Sequence, residues 1–310
     1  MIDLNNEIAF IGAGKVASSL IKSFLKNQLN VTTLISRNIN SAKEMAVNFN
    51  LKNYSDRIED IPHSSKIILL TVPDDKIEET ANRIAASAAS LDDKLFVHLS
   101  GTYNSLLLFK LKERGALTAS FHIMFTFPSK RPVDFGGCYA AIESDDEEAQ
   151  KILFQLAEKI NLKSFSLNKE EKIFYHLTGV AASNFLSAIL FEAEKAAQKA
   201  NIEGKDFYNI VEPIILGTLQ NIKKEGAAAS VSGPIDRGDL KTVEFHIDAL
   251  KKNISCGDKR DKILLLNYIS NSLILLDAVK EKKGTLTTEH EKIKLQLINS
   301  LIELTTTLAQ

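Results

Sequence analysis

An α/β fold, a doubly wound parallel sheet followed by an all-α half, is predicted by three features of this sequence. An apolar run at residues 8–11 enters Gly12-Ala13-Gly14 directly, and Val16, Ala17, Leu20, Ile21 and Phe24 then recur at helical spacing. Apolar runs and helical patterns keep alternating to about residue 167, as parallel strands joined by covering helices do. From Asn168 onward the spacing is helical throughout, with no strand signal and no repeat period. The expected division is therefore a sheet domain over 1–167 and a helical domain over 168–310.

The first strand–turn–helix unit carries the most chemistry. Gly12 permits a tight turn, Gly14 removes the Cβ that would block a pyrophosphate, and small Ala17 lets helix and strand pack closely. The helix beginning at Lys15 and Val16 then turns free N–H groups and a positive dipole end toward phosphate. Gly-Ala-Gly alone also describes an ordinary tight turn, but its place between a strand and a helix favours dinucleotide binding. The second strand, residues 31–35, ends at Ser36-Arg37-Asn38. An NAD or FAD site places a carboxylate there for the ribose 2′-hydroxyl, and none is present. Ser36 and Arg37 suit a 2′-phosphate instead, so NADP is the expected cofactor; the alternative is an ordinary exposed arginine.

A short helix over 41–49 follows, and residues 66–72 form a continuous apolar run, as a central strand covered on both faces requires. It ends at Val72-Pro73-Asp74 and is followed by a helix carrying Ile77, Ala81 and Ile84. The next strand, 95–99, ends at Ser100-Gly101, and a helix spans 106–112. In such a sheet ligands sit outside the carboxyl ends of the strands. Gly12, Ala13, Gly14, Lys15, Val16, Ser36, Arg37, Val72, Pro73, Ser100 and Gly101 are accordingly the expected cofactor-binding residues. Residues 119–122 make another strand end, opening into a phenylalanine-rich loop over 123–137 that is placed to wall a pocket. A strand at 139–142, a helix to about 160 capped by Ser144 with Glu147, and an edge strand at 163–167 complete this half.

Asn168 with Glu171 reads as a helix start. Helices are expected to about residue 200, then over 206–224, 239–252, 258–282 and 288–308, with Pro213 kinking or restarting the second.

With 310 residues, 45% hydrophobic and 25% charged, the chain suits two soluble domains, and a net charge of -1 offers no basic field to nucleic acid or membrane. A small-molecule ligand is expected. Cys138 and Cys256 are far apart and match no metal spacing, which suits free thiols in a reducing cytoplasm. Residues 2–7 lack the basic flank of a signal peptide, and the apolar stretch 263–279 is too short and too interrupted by polar residues to span a bilayer. Five apolar helices carry enough surface to predict a homodimer through the helical half.

Several signatures stand together: Gly12-Ala13-Gly14-Lys15-Val16-Ala17, Val72-Pro73-Asp74, His98-Leu99-Ser100-Gly101, Ser120-Phe121-His122, Tyr175-His176, Ser183-Asn184, Ser232-Gly233-Pro234-Ile235-Asp236-Arg237-Gly238-Asp239, and His246. The whole resembles the Rossmann-like NADP oxidoreductases whose C-terminal half is domain of unknown function 2520. More distantly it is similar to pyrroline-5-carboxylate reductases, ketopantoate reductases and β-hydroxyacid dehydrogenases. The resemblance implies hydride transfer between NADPH and a small keto acid or imine at a domain interface, with dimerisation through the helical domain. The Lys-x-x-x-Asn pair of ketopantoate reductases is not matched, since Val180 stands four residues before Asn184.

Such a reaction needs a proton donor, and histidine titrates in the right range. His122 and His176 are the candidates, each with a core role as the alternative; His98, within a strand, is read as structural. Asn184, eight residues after His176, is the candidate orienter of a substrate oxygen. Ser100 and Arg237 are the candidate substrate contacts, Arg237 as a carboxylate anchor, although Gly233-Pro234 and Asp239 are explained as a turn and a helix cap. Lys172 and Lys130 read as solvated charges. A non-catalytic NADP(H)-binding sensor or regulatory protein is the competing reading.

Overall fold

Residues 2–87, 90–254 and 259–308 are described by a computed structural model. The chain divides into two compact units that meet in sequence at Leu186 and Ser187.

The first unit is built on strands β1 (Glu7–Ile11), β2 (Val31–Ile35), β3 (Asn53–Ser55), β4 (Ser65–Leu70), β5 (Leu95–His98), β6 (Leu117–Ile123), β7 (Tyr139–Glu143) and β8 (Lys163–Ser166). They form one sheet in the order β3-β2-β1-β4-β5-β6-β7-β8. Helices α1 (Lys15–Lys26), α2 (Ile39–Asn48), α3 (Ile77–Ser87), α4 (Phe109–Lys112) and α5 (Glu147–Lys159) cover it, and α6 (Lys172–Gly179) closes the unit together with the π-helical turns Val180–Phe185. Because successive strand residues point to opposite faces, Ile8 and Phe10 join one core layer with Leu20, Phe24 and Leu153, whereas Ala9 and Ile11 join the other with Ala81, Ile84 and Leu108.

Every strand pairing is parallel except that of β6 with β7, so β7 and β8 run opposite to the other six strands. The connection between β6 and β7, 124–138, contains no helix, and a parallel return needs a crossover of that kind. That connection folds over α1 instead: Ser18 Oγ donates to the Lys130 carbonyl and Val133 N donates to Ser19 Oγ. Strand β3 was not expected; three residues, two of them exposed, give no periodic signal. The capping box expected from Ser144 and Glu147 does not form. Ser144 Oγ donates to the Thr118 carbonyl at 2.6 Å and accepts from Asp146 N, tying β7 back to β6. The Asn168/Glu171 box does form, on a single 3-10 turn ahead of α6.

The second unit comprises α7 (Leu186–Lys199), α8 (Gly204–Glu225), α9 (Pro234–Arg237), α10 (Leu240–Ile254), α11 (Lys259–Lys283) and α12 (Thr288–Leu308). Its core is Val243 and Ile247 of α10, Leu265, Ile269, Leu276 and Val279 of α11, and Ile293 and Leu297 of α12. Helix α8 runs unbroken through Pro213 rather than restarting. The carbonyl deprived of a partner belongs to exposed Asn209, where water can serve it. The stretch 263–279, expected to be too short to span a bilayer, continues helically on both sides, and by length and composition Asp261–Lys283 is able to cross a membrane, as is Lys169–Lys199. The burial of Leu265, Ile269, Leu276 and Val279 within the second unit accounts for the apolar content of α11. Cys138 is a free thiol; Cys256 and the start expected for the fourth helix, Asp258, lie outside the described residues.

Candidate active site

The turn after β1 has the geometry that a dinucleotide needs. Gly12 sits at φ +115°, and a Cβ there would lie 2.6 Å from the Thr71 carbonyl oxygen. Thr71 Oγ1 donates to the carbonyls of Ile11 and Gly12, and Gly12 N donates to Ile35, so the ends of β1, β2 and β4 are tied together. Above Gly14 the space is open: the nearest atom to a Cβ there is Thr71 O, at 3.7 Å. Helix α1 starts with no side-chain cap and no acidic residue in its first turn, leaving its terminal N–H groups and dipole for an anion. These residues fit a pyrophosphate. At the end of β2, Asn38 is occupied in capping α2, while Arg37 is exposed. Val72 packs on the second core layer, leading into exposed Pro73.

Beside this turn, the ends of β5 and β6 meet the first turns of α6. Gly101 makes the meeting possible. A Cβ at Gly101 would lie 2.7 Å from both His122 Nε2 and His176 Nδ1, so the two imidazoles converge on the bare face of one residue. Their ring centroids are 6.1 Å apart, and Tyr175 stands edge-on to His122 at 5.5 Å. His122 Nδ1 and the Tyr175 hydroxyl are buried with no hydrogen-bond partner, an arrangement that native interiors rarely leave unexplained. Burial, then the charge of Lys172, then His176 pull His122 down to about 4; burial pushes Tyr175 up to about 12. Near neutral pH both are uncharged.

Lys172 corrects the sequence reading. Expected as a solvated charge, it is 1% exposed. Its Nζ donates to the Ser100 carbonyl at 3.1 Å and to Ser120 Oγ. Burial lowers it to about 8, against the opposing pull of Glu143 and Asp74. Periodicity could not reveal this, because a lysine in the first turn of a helix is ordinarily solvated; the relevant signal is long-range.

Ser100 is a hub and not an open contact. Its N donates to His98 Nδ1, its Oγ donates to Asp74 Oδ2 at 2.6 Å and accepts from Thr102 N and Tyr103 N, and its carbonyl accepts from Lys172. With every polar atom engaged and the residue 3% exposed, Ser100 shapes the loop that presents Gly101. His98 is structural, as expected: fully buried, it accepts at Nδ1 and so donates from Nε2 to the Asn104 carbonyl at 3.0 Å. Burial and then Lys172 lower it to about 3. Glu143, also buried, accepts from Ser105 N and Oγ.

Asn184, Lys130 and Arg237 are the remaining candidates. Asn184 is exposed on the π-helical turns, and Lys130 is exposed. Arg237, its side chain 63% exposed and 3.9 Å from Asp239, belongs to the second unit. There the Gly-Pro-Ile-Asp-Arg-Gly-Asp segment ties helices together: Asp236 pairs with Lys282 and Lys283, His290 Nε2 meets the Asp236 carbonyl, and Asp239 accepts from Thr242 N and Oγ1. His246 Nδ1 lies 3.0 Å from the Tyr268 hydroxyl. Among the described residues no cluster of metal-ligating side chains occurs.

Residues 7–100 match the family described as NADP oxidoreductase, coenzyme F420-dependent, and residues 138–260 match domain of unknown function 2520. No curated protein matches the chain. Among solved structures, a Bacteroides fragilis protein assigned to the NADP oxidoreductases is 21% identical at a TM-score of 0.72, over 88% of this chain and 98% of that one. The reductive aminase of Aspergillus terreus, in complex with NADPH and ethyl levulinate, is 16% identical at a TM-score of 0.64, over 96% and 99%. Pyrroline carboxylate reductase of Plasmodium falciparum, with NADP bound, is 17% identical at 0.57, over 95% and 99%. At such identities the likeness is one of fold. NADP, expected from Ser36 and Arg37, is also the nucleotide of the family that the N-terminal half matches. The chain thus carries an NADP oxidoreductase domain followed by domain of unknown function 2520, the combination that the sequence resemblance implies.

Proposed function

We propose that the chain is an NADPH-dependent reductase of a small keto acid or imine. The observation that carries this reading is the convergence of His122 Nε2 and His176 Nδ1 on Gly101, beside a glycine turn fitted to pyrophosphate. Bound NADPH supplies the hydride. The chain's own residues hold the nucleotide and manage the proton. Gly12, Gly14 and the start of α1 hold the pyrophosphate, and Ser36 with Arg37 meets the 2′-phosphate. His122, uncharged near neutral pH, serves as a hydrogen-bonding group and not as a cationic acid. His176, the partner on the same glycine face, is the proton donor to the reduced oxygen or nitrogen. Asn184 and Arg237, both on exposed positions, are retained as orienter and carboxylate anchor.

The assembly proposed is a homodimer in the cytoplasm. Ile210, Ile214, Leu216 and Leu219 of α8 are all exposed in the single chain, which is more apolar surface than a monomer ordinarily leaves bare.

The test is turnover. Purified protein with NADPH is offered keto acids, ketones with amines, and cyclic imines, and the reduced nicotinamide absorbance is followed. Loss is expected with at least one class, and His176→Gln is expected to lower kcat by about a hundredfold to ten-thousandfold. Tight NADPH binding with no turnover across the panel overturns the reductase reading and leaves the non-catalytic one.

A further inference from the structure

The buried cation at the start of α6 is used by none of the steps above. Lys172 is on the first helical residue of α6, and its Nζ reaches across to β5 and β6, donating to the Ser100 carbonyl and Ser120 Oγ. Both acceptors are neutral. The nearby carboxylates are engaged elsewhere: Glu143 with Ser105, and Asp74 with Ser100 Oγ. A buried ammonium held by neutral acceptors is unfavourable for stability on its own, yet it stands where its field reaches His122.

We propose that Lys172 is a positioning residue: its ammonium clamps the first turn of α6 to Ser100 and Ser120 and sets a buried positive charge on the face of β6 that Ser120 shares with His122, two residues along the strand. The clamp acts on geometry, because Tyr175 and His176 follow one turn later on the same helix, and Tyr175 meets His122 and His176 meets Gly101 only while that turn is held against β5 and β6. The charge acts on His122, because a positive neighbour in a poorly solvated site disfavours a second positive group. The groups facing Lys172 are Glu143 from β7, Asp74 after β4, His98 from β5 and His122 from β6. Those facing His122 are Lys172, His176 and Tyr175 from α6 and His98 from the neighbouring strand β5. In this arrangement the site offers a reacting oxygen or nitrogen a neutral imidazole, and the excess positive charge lies beneath it on a group sealed from solvent. The inference deepens the reductase reading and rests on it for its consequence, but its own test needs no turnover.

Imidazole signals of the full chain are followed by proton–nitrogen NMR across the pH range, with His122 identified by the signal lost in His122→Asn. In the wild type, His122 stays neutral down to about 4. In Lys172→Met its midpoint is expected to rise part of the way toward the ordinary 6.5, burial holding the remainder down, while Lys172→Arg, keeping the charge, holds it low. An unchanged His122 midpoint in Lys172→Met overturns the proposal. If Lys172→Met does not fold, the wild type decides alone: His122 shifts are expected to move through a second step near pH 8, as Lys172 loses its proton, and their absence overturns it. Failure of the reductase assay with this titration intact would remove the reaction and leave the electrostatic device.

Discussion

A methyl group at Gly101 has nowhere to go: it would meet two imidazole nitrogens at 2.7 Å and His122 Cε1 at 2.9 Å. These neighbours are side-chain tips and not backbone, so Gly101→Ala is expected to fold, displace both rings and lower kcat by about a hundredfold in the NADPH turnover assay. Gly12→Ala is a different case. The backbone carbonyl of Thr71 lies 2.6 Å away and φ is +115°, so a loss of about 1–3 kcal/mol is expected in denaturant unfolding, together with weakened NADPH binding. The histidines set an acid limit. His98 and His122 sit at about 3 and about 4 in the folded chain, against 6.5 unfolded. As pH falls from 6.5 to 4 the unfolded state takes up protons that the folded state does not, so stability falls across that window. Urea midpoints at the two ends check it, and His98→Asn is expected to flatten the difference. Lys172 acts at the alkaline side: between about 8 and 10.5 the folded chain has released a proton that the unfolded chain keeps, so stability rises with pH there.

Helix starts show why some elements could be read locally and others could not. The Asn168/Glu171 box closes within four residues, and removing it with Asn168→Ala should cost about 1 kcal/mol in thermal unfolding. The same pattern at Ser144 and Glu147 failed because Thr118, distant in sequence, takes the Ser144 hydroxyl. An eight-residue spacing would put His176 and Asn184 on one face of a continuous α-helix. The turns Val180–Phe185 are π-helical and change the phase between them; no propensity announces such a widening. At the end of β2, charge and position alone make the argument. Charge-assisted hydrogen bonds of about 1.5–3 kcal/mol give NADPH about a tenfold to hundredfold preference over NADH, which Arg37→Ala should abolish. Equal affinities in the wild type would refute the assignment.

For the whole molecule, the expected homodimer is tested by light scattering at micromolar concentration, where a monomer would refute it; pairing Ile214→Lys with Leu219→Lys should then yield monomers that keep NADPH binding. What the sequence determined by itself was local and periodic: the order of strands and helices, the glycine turn, the missing carboxylate after β2, and the change to all-helical chain at Asn168. Those follow from backbone sterics and from which face of each element is apolar, and both are written within a few neighbouring residues. The tertiary structure alone decided that β7 runs antiparallel, that Ser100 is a structural hub, and that Lys172 is buried beneath two histidines converging on Gly101. Those are contacts between residues up to 75 positions apart, as Gly101 and His176 are, and burial and charge coupling depend on distance in space, which spacing along the chain does not encode.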